Sequence, residues 1–149
     1  MGEIKRALSV PSSCVCTLNV RTTPVPNEPW SFEAVGPTQL KTLVDIGNFE
    51  PLLSMQMAVM QGQEPPTTLD TTPLYGAIAQ IAPYAGLVHA KTHGFDQQGR
   101  PLHMDVVRAL RVVRDSGFAG PISLEYEGSE GDAWENTRRT RALVEEAFA

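Results

Sequence analysis

Three residues of the kinds that bind divalent metal ions lie near the ends of three successive apolar segments of the chain. Asp45 ends LKTLVD, His89 lies in GLVHAKT and Glu125 lies in PISLEYE. The intervals are 44 residues from Asp45 to His89 and 36 residues from His89 to Glu125. Two carboxylates and one imidazole are a ligand set suited to Mn²⁺, Mg²⁺, Co²⁺ or Zn²⁺. The pattern therefore predicts a divalent metal site, provided that the three segments lie side by side.

Each of these residues also has an ordinary structural interpretation. An aspartate at the end of a strand often caps the turn that follows. A lone buried histidine is commonly a hydrogen-bonded structural residue, and glutamates such as Glu125 and Glu127 can be solvated on an edge strand. The equivalent places of the three residues in three segments make the metal site as well supported as these structural interpretations, and both stay open at this point.

Polar and apolar residues alternate in all three segments, as they do on the two faces of a β-strand. The polar face of the first segment carries Asp45, that of the second carries His89 and Lys91, and that of the third carries Glu125 and Glu127. Burying an unpaired charge is costly. We therefore expect the three polar faces to meet in a crevice or in the interior of a barrel, with the apolar faces packed under helices.

The segments between these strands have helical spacing, which gives an alternating order of strands and helices. Such an order is typical of βαβ units with a parallel sheet, in which sites form at the carboxyl ends of the strands. An interval of about 40 residues also approximates one strand-helix unit of a (β/α)8 barrel plus loop insertions. The sequence predicts strands over 40–47, 86–92 and 121–127, and helices over 52–60, 74–85, 103–117 and 132–148.

Composition excludes several classes of function. A net charge of -5, a pI of about 5.1 and the lack of a basic run argue against nucleic-acid binding, including phosphodiester hydrolysis of DNA. The sequence has no apolar run near the ~18 residues of a membrane span and no secretion-signal pattern. Cys14 and Cys16 match no redox or zinc motif and are interpreted as reduced thiols. We therefore expect a cytoplasmic protein. His93 and His103 are predicted to be exposed loop residues.

Three motifs in order resemble one known family. LVDIGNFEP, APYAGLVHAKTHGFDQQGR and GFAGPISLEYEG resemble the sugar phosphate isomerase/epimerase family, the xylose isomerase-like TIM barrels. The resemblance covers about residues 32–149 and implies an α/β fold made of the last three strand-helix units of a (β/α)8 TIM barrel. Residues 1–31, which include the proline-rich TTPVPNEPW, are interpreted as an irregular N-terminal segment outside this C-terminal half.

The resemblance also implies roles for individual residues. Members of the family bind one divalent metal ion through Glu, Asp, His and Glu, and three of these ligands map onto Asp45, His89 and Glu125. Glu125 also matches one of two glutamates that move protons next to a substrate carbonyl. Asn48 stands where many members carry a substrate-binding histidine, and Lys91 and Glu127 are further candidates for substrate contact.

The implied activity is isomerisation or epimerisation of a small ketose or keto acid by enediolate proton transfer. A complete barrel needs about 250 residues, whereas this chain has 149. The first glutamate ligand is not found, because Glu28 and Glu33 lie in unsuitable contexts. The alternative is a non-catalytic half barrel that associates with itself or with a complementary half.

Overall fold

The computed structural model describes residues 41–66 and 68–149. Three parallel strands form a sheet in the order β1-β2-β3. The strands are β1 (Thr42–Asp45), β2 (Ala85–Thr92) and β3 (Ile122–Tyr126). The helices are α1 (Leu52–Met60), α2 (Thr72–Ile81), α3 (Val106–Asp115) and α4 (Ala133–Phe148), and a 3-10 turn at Ala82–Tyr84 leads from α2 into β2.

The structure confirms that strands and helices alternate in the predicted order, with differences at the ends of elements. The helix predicted to run to residue 85 ends at Ile81, because Pro83 has no backbone N–H to continue it. Asp132 caps α4, and its Oδ1 accepts a hydrogen bond from the Glu135 backbone N–H at 2.7 Å. The predictions for residues 1–31, for Cys14 and Cys16 and for Glu28 and Glu33 lie outside the described residues.

The apolar faces of the strands form one side of the core. Val44, Val88 and Ala90 are fully buried, and Ile122 and Leu124 pack against the same cluster of side chains. Their helical partners in that cluster are Leu74 and Ile78 from α2 and Ala109, Leu110 and Val113 from α3. The alternation that buries these residues turns the neighbouring polar residues to the opposite face of the sheet. Among the described residues, no helix is long and apolar enough to cross a bilayer.

Two fully buried threonines, Thr140 and Thr42, allow a test of how hydrogen bonding of a buried hydroxyl group affects stability. Thr140 Oγ1 lies 2.7 Å from Thr92 Oγ1 and donates to the Asn136 carbonyl at 3.0 Å, which ties α4 to β2. Among the described residues, Thr42 Oγ1 has no hydrogen-bond partner. Valine has nearly the shape of threonine but no hydroxyl. We expect Thr140→Val to lower the free energy of unfolding by about 1–2 kcal/mol, because Thr92 loses its partner.

Thr42→Val, by contrast, removes a buried hydroxyl that has no partner within residues 41–66 and 68–149. We expect it to be neutral or to raise the free energy of unfolding by about 1 kcal/mol. Urea unfolding followed by circular dichroism measures both changes. Equal destabilisation by the two substitutions would contradict the difference in hydrogen bonding.

Candidate metal centre

The register of the sheet brings the three predicted ligands together. Asp45 pairs with His89 across β1 and β2, and Glu125 of β3 pairs with Lys91, two residues beyond His89. His89 Nδ1 lies 2.6 Å from Glu125 Oε1 and 3.8 Å from Asp45 Oδ2. One ligand atom from each of the three residues lies within 4.8 Å of the others. Asp45, His89 and Glu125 are therefore a group that could hold a metal ion, called the metal triad below, and they lie toward the carboxyl ends of the strands.

The turn after β1 fixes the carboxylate of Asp45. Its Oδ1 accepts a hydrogen bond from the Gly47 backbone N–H at 3.0 Å, and its Oδ2 accepts one from Asn48 Nδ2 at 2.8 Å. Asp45 therefore performs the turn-capping role that was the alternative to metal binding, and it does so while 8% exposed beside His89 and Glu125. Turn capping does not by itself exclude metal binding, since each carboxylate oxygen can accept more than one bond.

Lys91 lies at the centre of the acidic residues, where its side chain is only 5% exposed. Its Nζ is 2.8 Å from Asp45 Oδ2, 3.0 Å from Glu127 Oε1 and 3.3 Å from Glu125 Oε2. It also donates to Asn48 Oδ1 at 3.3 Å. Burial is the largest single influence and would lower the pKa of Lys91, but hydrogen bonds and charge attraction to the carboxylates of Asp45 and Glu127 together raise the pKa. The ammonium group is therefore charged and offsets part of the negative charge of the site.

The candidate substrate-binding residues all lie in this cluster. Asn48, Lys91 and Glu127 are joined to one another by hydrogen bonds through the Lys91 ammonium group. Their contact with a substrate remains a prediction. The distances add a role that the sequence did not indicate: Lys91 is the counter-ion of the carboxylates.

His93 and His103 lie in loops, as predicted, but the prediction that they are exposed was wrong. Both side chains are partly buried, and burial lowers the pKa of each. His93 follows β2 and contacts Gln56 of α1, with 2.7 Å between His93 Nε2 and Gln56 Nε2. Sequence reasoning missed Gln56 altogether. Continuation of the period-two pattern from His89 and Lys91 was the available signal for His93.

Gly47 packs directly against the aliphatic part of Lys91. A Cβ atom at residue 47 would lie 2.7 Å from Lys91 Cδ and 2.9 Å from Lys91 Cγ. We expect Gly47→Ala to displace the buried lysine and to lower the free energy of unfolding by about 1–3 kcal/mol. The control is Gly76→Ala within α2, where an added Cβ meets no atom within 4 Å.

The Gly76→Ala control is expected to raise stability by about 0.5–1 kcal/mol, because alanine is the better helix former. Thermal unfolding of the two variants tests the difference. A Gly47→Ala variant as stable as the unmodified protein would show that Lys91 has room to move.

Comparison with known proteins gives similarity over part of the chain. No protein-family model matches it. A stretch of 57 residues, 38% of the chain, is 33% identical to a C-glycoside deglycosidase alpha subunit of Arthrobacter globiformis. A stretch of 56 residues is 34% identical to a C-glycoside deglycosidase alpha subunit of Microbacterium trichothecenolyticum. These matches span 16% and 15% of the relatives' own lengths.

Proposed function

We propose that this chain is part of a metal-dependent enzyme that acts on a small sugar, and that the reaction is isomerisation or epimerisation of a ketose or keto acid. The observation that carries the proposal is the metal triad of Asp45, His89 and Glu125 on adjacent strands. The partial similarity to proteins named as C-glycoside deglycosidase subunits supports a sugar as the class of substrate. The isomerase or epimerase chemistry rests on the residues of the site and the motif resemblance.

The side chains present suit a divalent cation. Asp45 and Glu125 supply carboxylate oxygens and His89 supplies an imidazole nitrogen, a set that accepts Mn²⁺, Mg²⁺, Co²⁺ or Zn²⁺. With His89 neutral, the carboxylates of Asp45, Glu125 and Glu127 outnumber the Lys91 ammonium group by two charges. A divalent ion would balance that excess. When bound, such an ion polarises a substrate oxygen and stabilises negative charge on it.

Glu125 is the residue that we assign to proton transfer. It is 27% exposed and has one oxygen on His89 Nδ1 and the other near Lys91 Nζ. As a base, its carboxylate takes the proton from the carbon next to the substrate carbonyl, and the C–H electron pair moves into the enediolate. Return of the proton by Glu125 to the neighbouring carbon, with transfer of the hydroxyl proton to the former carbonyl oxygen, gives an isomer. An epimer requires a second acid that protonates the opposite face, the role that the motif resemblance gives to another glutamate. Asn48 and Glu127 lie where they can orient substrate hydroxyl groups.

We further propose that the sheet is the last part of a (β/α)8 barrel. Three parallel strands with interleaved helices fit three successive units of such a barrel. In the described part of the chain, β1 and β3 are edge strands, and unpaired edges favour association with further strands. A complementary half barrel or a second copy of the chain would supply them.

Deuterium exchange tests the catalytic proposal. The full chain with Mn²⁺ is incubated in D₂O with D-fructose, D-xylulose or hydroxypyruvate, and loss of the C–H signal next to the carbonyl is followed by ¹H NMR. We expect exchange with at least one compound, and we expect chelation of the metal and Glu125→Gln each to stop it. Exchange that persists in Glu125→Gln would overturn the assignment of the proton-transfer residue.

A non-catalytic half barrel is the second candidate, and the two edge strands favour it. The word "subunit" in the names of both relatives agrees with an associating protein. Analytical ultracentrifugation distinguishes the possibilities. A dimer that shows no deuterium exchange supports this second candidate, and a stable monomer contradicts association of the chain with itself.

A further inference from the structure

Gln56 links the turn after β1 to the end of β2. Its Nε2 lies 3.0 Å from the Gly47 carbonyl oxygen and 2.7 Å from His93 Nε2. Gly47 is the residue whose N–H binds Asp45 and whose Cα packs on Lys91. One amide group of α1 therefore connects His93 to the part of the chain that holds the metal triad.

The two contacts of Gln56 fix the direction of the hydrogen bond to His93. A carbonyl oxygen only accepts hydrogen bonds, so the atom of Gln56 that faces Gly47 must be the NH₂ group and not the amide oxygen. That same NH₂ group faces His93 Nε2. Since its nitrogen can donate two hydrogen bonds and accepts none, His93 Nε2 must be the acceptor.

An accepting Nε2 carries no proton, which places the ring proton of neutral His93 on Nδ1. Free neutral imidazole side chains favour the opposite tautomer, so the arrangement around Gln56 selects the less common one. Within residues 41–66 and 68–149, Nδ1 of His93 has no hydrogen-bond partner. His93 therefore has a donor group available for a ligand.

The charges around His93 agree with a neutral ring beside the metal triad. Burial is the largest influence and lowers the pKa of His93. Glu127 and Asp45 act in the opposite direction, while Lys91 and His103 lower the pKa further. The contacts of Gln56 place the ring near the proposed substrate, because Gln56 Nε2 also lies 3.0 Å from the carbonyl oxygen of Gly47, and Gly47 packs against Lys91.

We infer that His93 is a substrate-orienting residue, whose Nδ1–H group donates a hydrogen bond to a hydroxyl or carbonyl oxygen of the ketose and whose tautomer is set by Gln56. This inference rests on the proposed function for its ligand. Gln56 acts through His93 and is a positioning residue. A purely structural role, in which the pair only ties α1 to β2, would require the contact with Gln56 and would not require the Nδ1 donor.

Two substitutions of His93 separate these roles. The amide of asparagine lies near the place of Nδ1, so His93→Asn keeps a donor there and loses the contact with Gln56. The longer glutamine places its amide near Nε2, so His93→Gln keeps the contact and loses the Nδ1 donor. A substrate-orienting role predicts weaker ketose binding in His93→Gln than in His93→Asn, and a structural role predicts lower stability in His93→Asn with equal binding.

The experiment begins with the unmodified metal-free chain. Long-range ¹H–¹⁵N correlation spectra report which ring nitrogen carries the proton, and the cross-peaks that vanish in His93→Gln identify His93. We expect a neutral ring protonated at Nδ1 at pH 7. A ring protonated at Nε2, or at both nitrogens, overturns the inference whether or not a ketose binds.

Calorimetric titration with D-fructose in the presence of Mn²⁺ then measures the affinity of each protein for a ketose. We expect His93→Gln to weaken binding about tenfold and His93→Asn to stay within about threefold of the unmodified chain. Equal binding by all three proteins overturns the inference and leaves the proposed function standing. Failure of the unmodified chain to bind any of the three keto compounds while it binds Mn²⁺ overturns both.

Discussion

Glu125→Gln is expected to weaken Mn²⁺ binding by roughly 100-fold or more. Removing a hydrogen-bonding partner of a metal ligand already costs about 10–100-fold in affinity, and Glu125 is proposed to bind the metal directly. The substitution keeps the size of the side chain but removes its charge and replaces one oxygen with an NH₂ group, which cannot accept. It also removes the negative charge from the 2.6 Å contact with His89 Nδ1. The measurement is calorimetric titration of the metal-free chain with Mn²⁺.

The matched control is Glu127→Gln, the same chemical change two residues later, immediately after the end of β3. Glu127 contacts Lys91 but is not part of the metal triad. We expect its loss of affinity to be less than about tenfold, because it removes a nearby negative charge and no ligand, and its side chain is 49% exposed. Equal losses of affinity in the two variants would mean that Mn²⁺ is attracted by the net charge of the acidic residues and is not bound by specific ligands.

Alternation along the strands was sufficient to predict both faces of the sheet. Val88 and Ala90 are fully buried in the core, and His89 and Lys91 lie on the other face beside Glu125, as the period of two requires. The face on which each strand residue lies could be predicted because strand geometry depends only on neighbouring residues. A residue and its second neighbour share a face in any strand.

The remaining contacts depend on tertiary structure. Gln56 lies on α1, nine residues after Gly47, and it reaches His93 across 37 residues of sequence. The periodicity of a helix or a strand predicts contacts only within that element. The contact between Gln56 and His93 therefore could not be predicted. The burial of His93 also depends on tertiary structure, because Gln56 of α1 contacts His93 in a loop that we predicted to be exposed.

For Lys91, the sequence predicted the position of the residue but not its contacts. Its position on the polar face was predicted, but its partners were not, because a long side chain can reach several carboxylates from one backbone position. The structure places its ammonium group within 3.3 Å of three acidic side chains. These distances show that Lys91 is a counter-ion of the carboxylates, a role that residue spacing does not specify, while its contact with a substrate stays a prediction.

Lys91→Met is expected to destabilise the metal-free chain by about 3 kcal/mol. The methionine preserves much of the apolar length of the side chain but leaves Asp45, Glu125 and Glu127 without their shared positive charge. Breaking a buried ion pair by removing one partner costs about 3–5 kcal/mol, and the exposure of Glu127 places the expected cost at the lower end. For a chain of this size we expect the Tm to fall by about 10 °C, measured by thermal unfolding in the presence of a chelator. Arg141→Met is the control, because Arg141 forms an exposed pair with Glu145 whose loss should cost less than about 1 kcal/mol.

Added Mn²⁺ is expected to restore most of the stability lost in Lys91→Met. The substitution removes a positive charge 2.8 Å from Oδ2 of Asp45, which is one of the three residues of the proposed metal site. The variant should therefore bind Mn²⁺ more tightly than the unmodified chain, and a ligand that binds only the folded state raises the Tm in proportion to the logarithm of its concentration over Kd. We expect the gap in Tm between the two proteins to narrow as Mn²⁺ is added, while the gap between Arg141→Met and the unmodified chain stays constant. If Mn²⁺ leaves the Tm of Lys91→Met unchanged, the acidic cluster is an internal ion pair alone and the metal site must be abandoned.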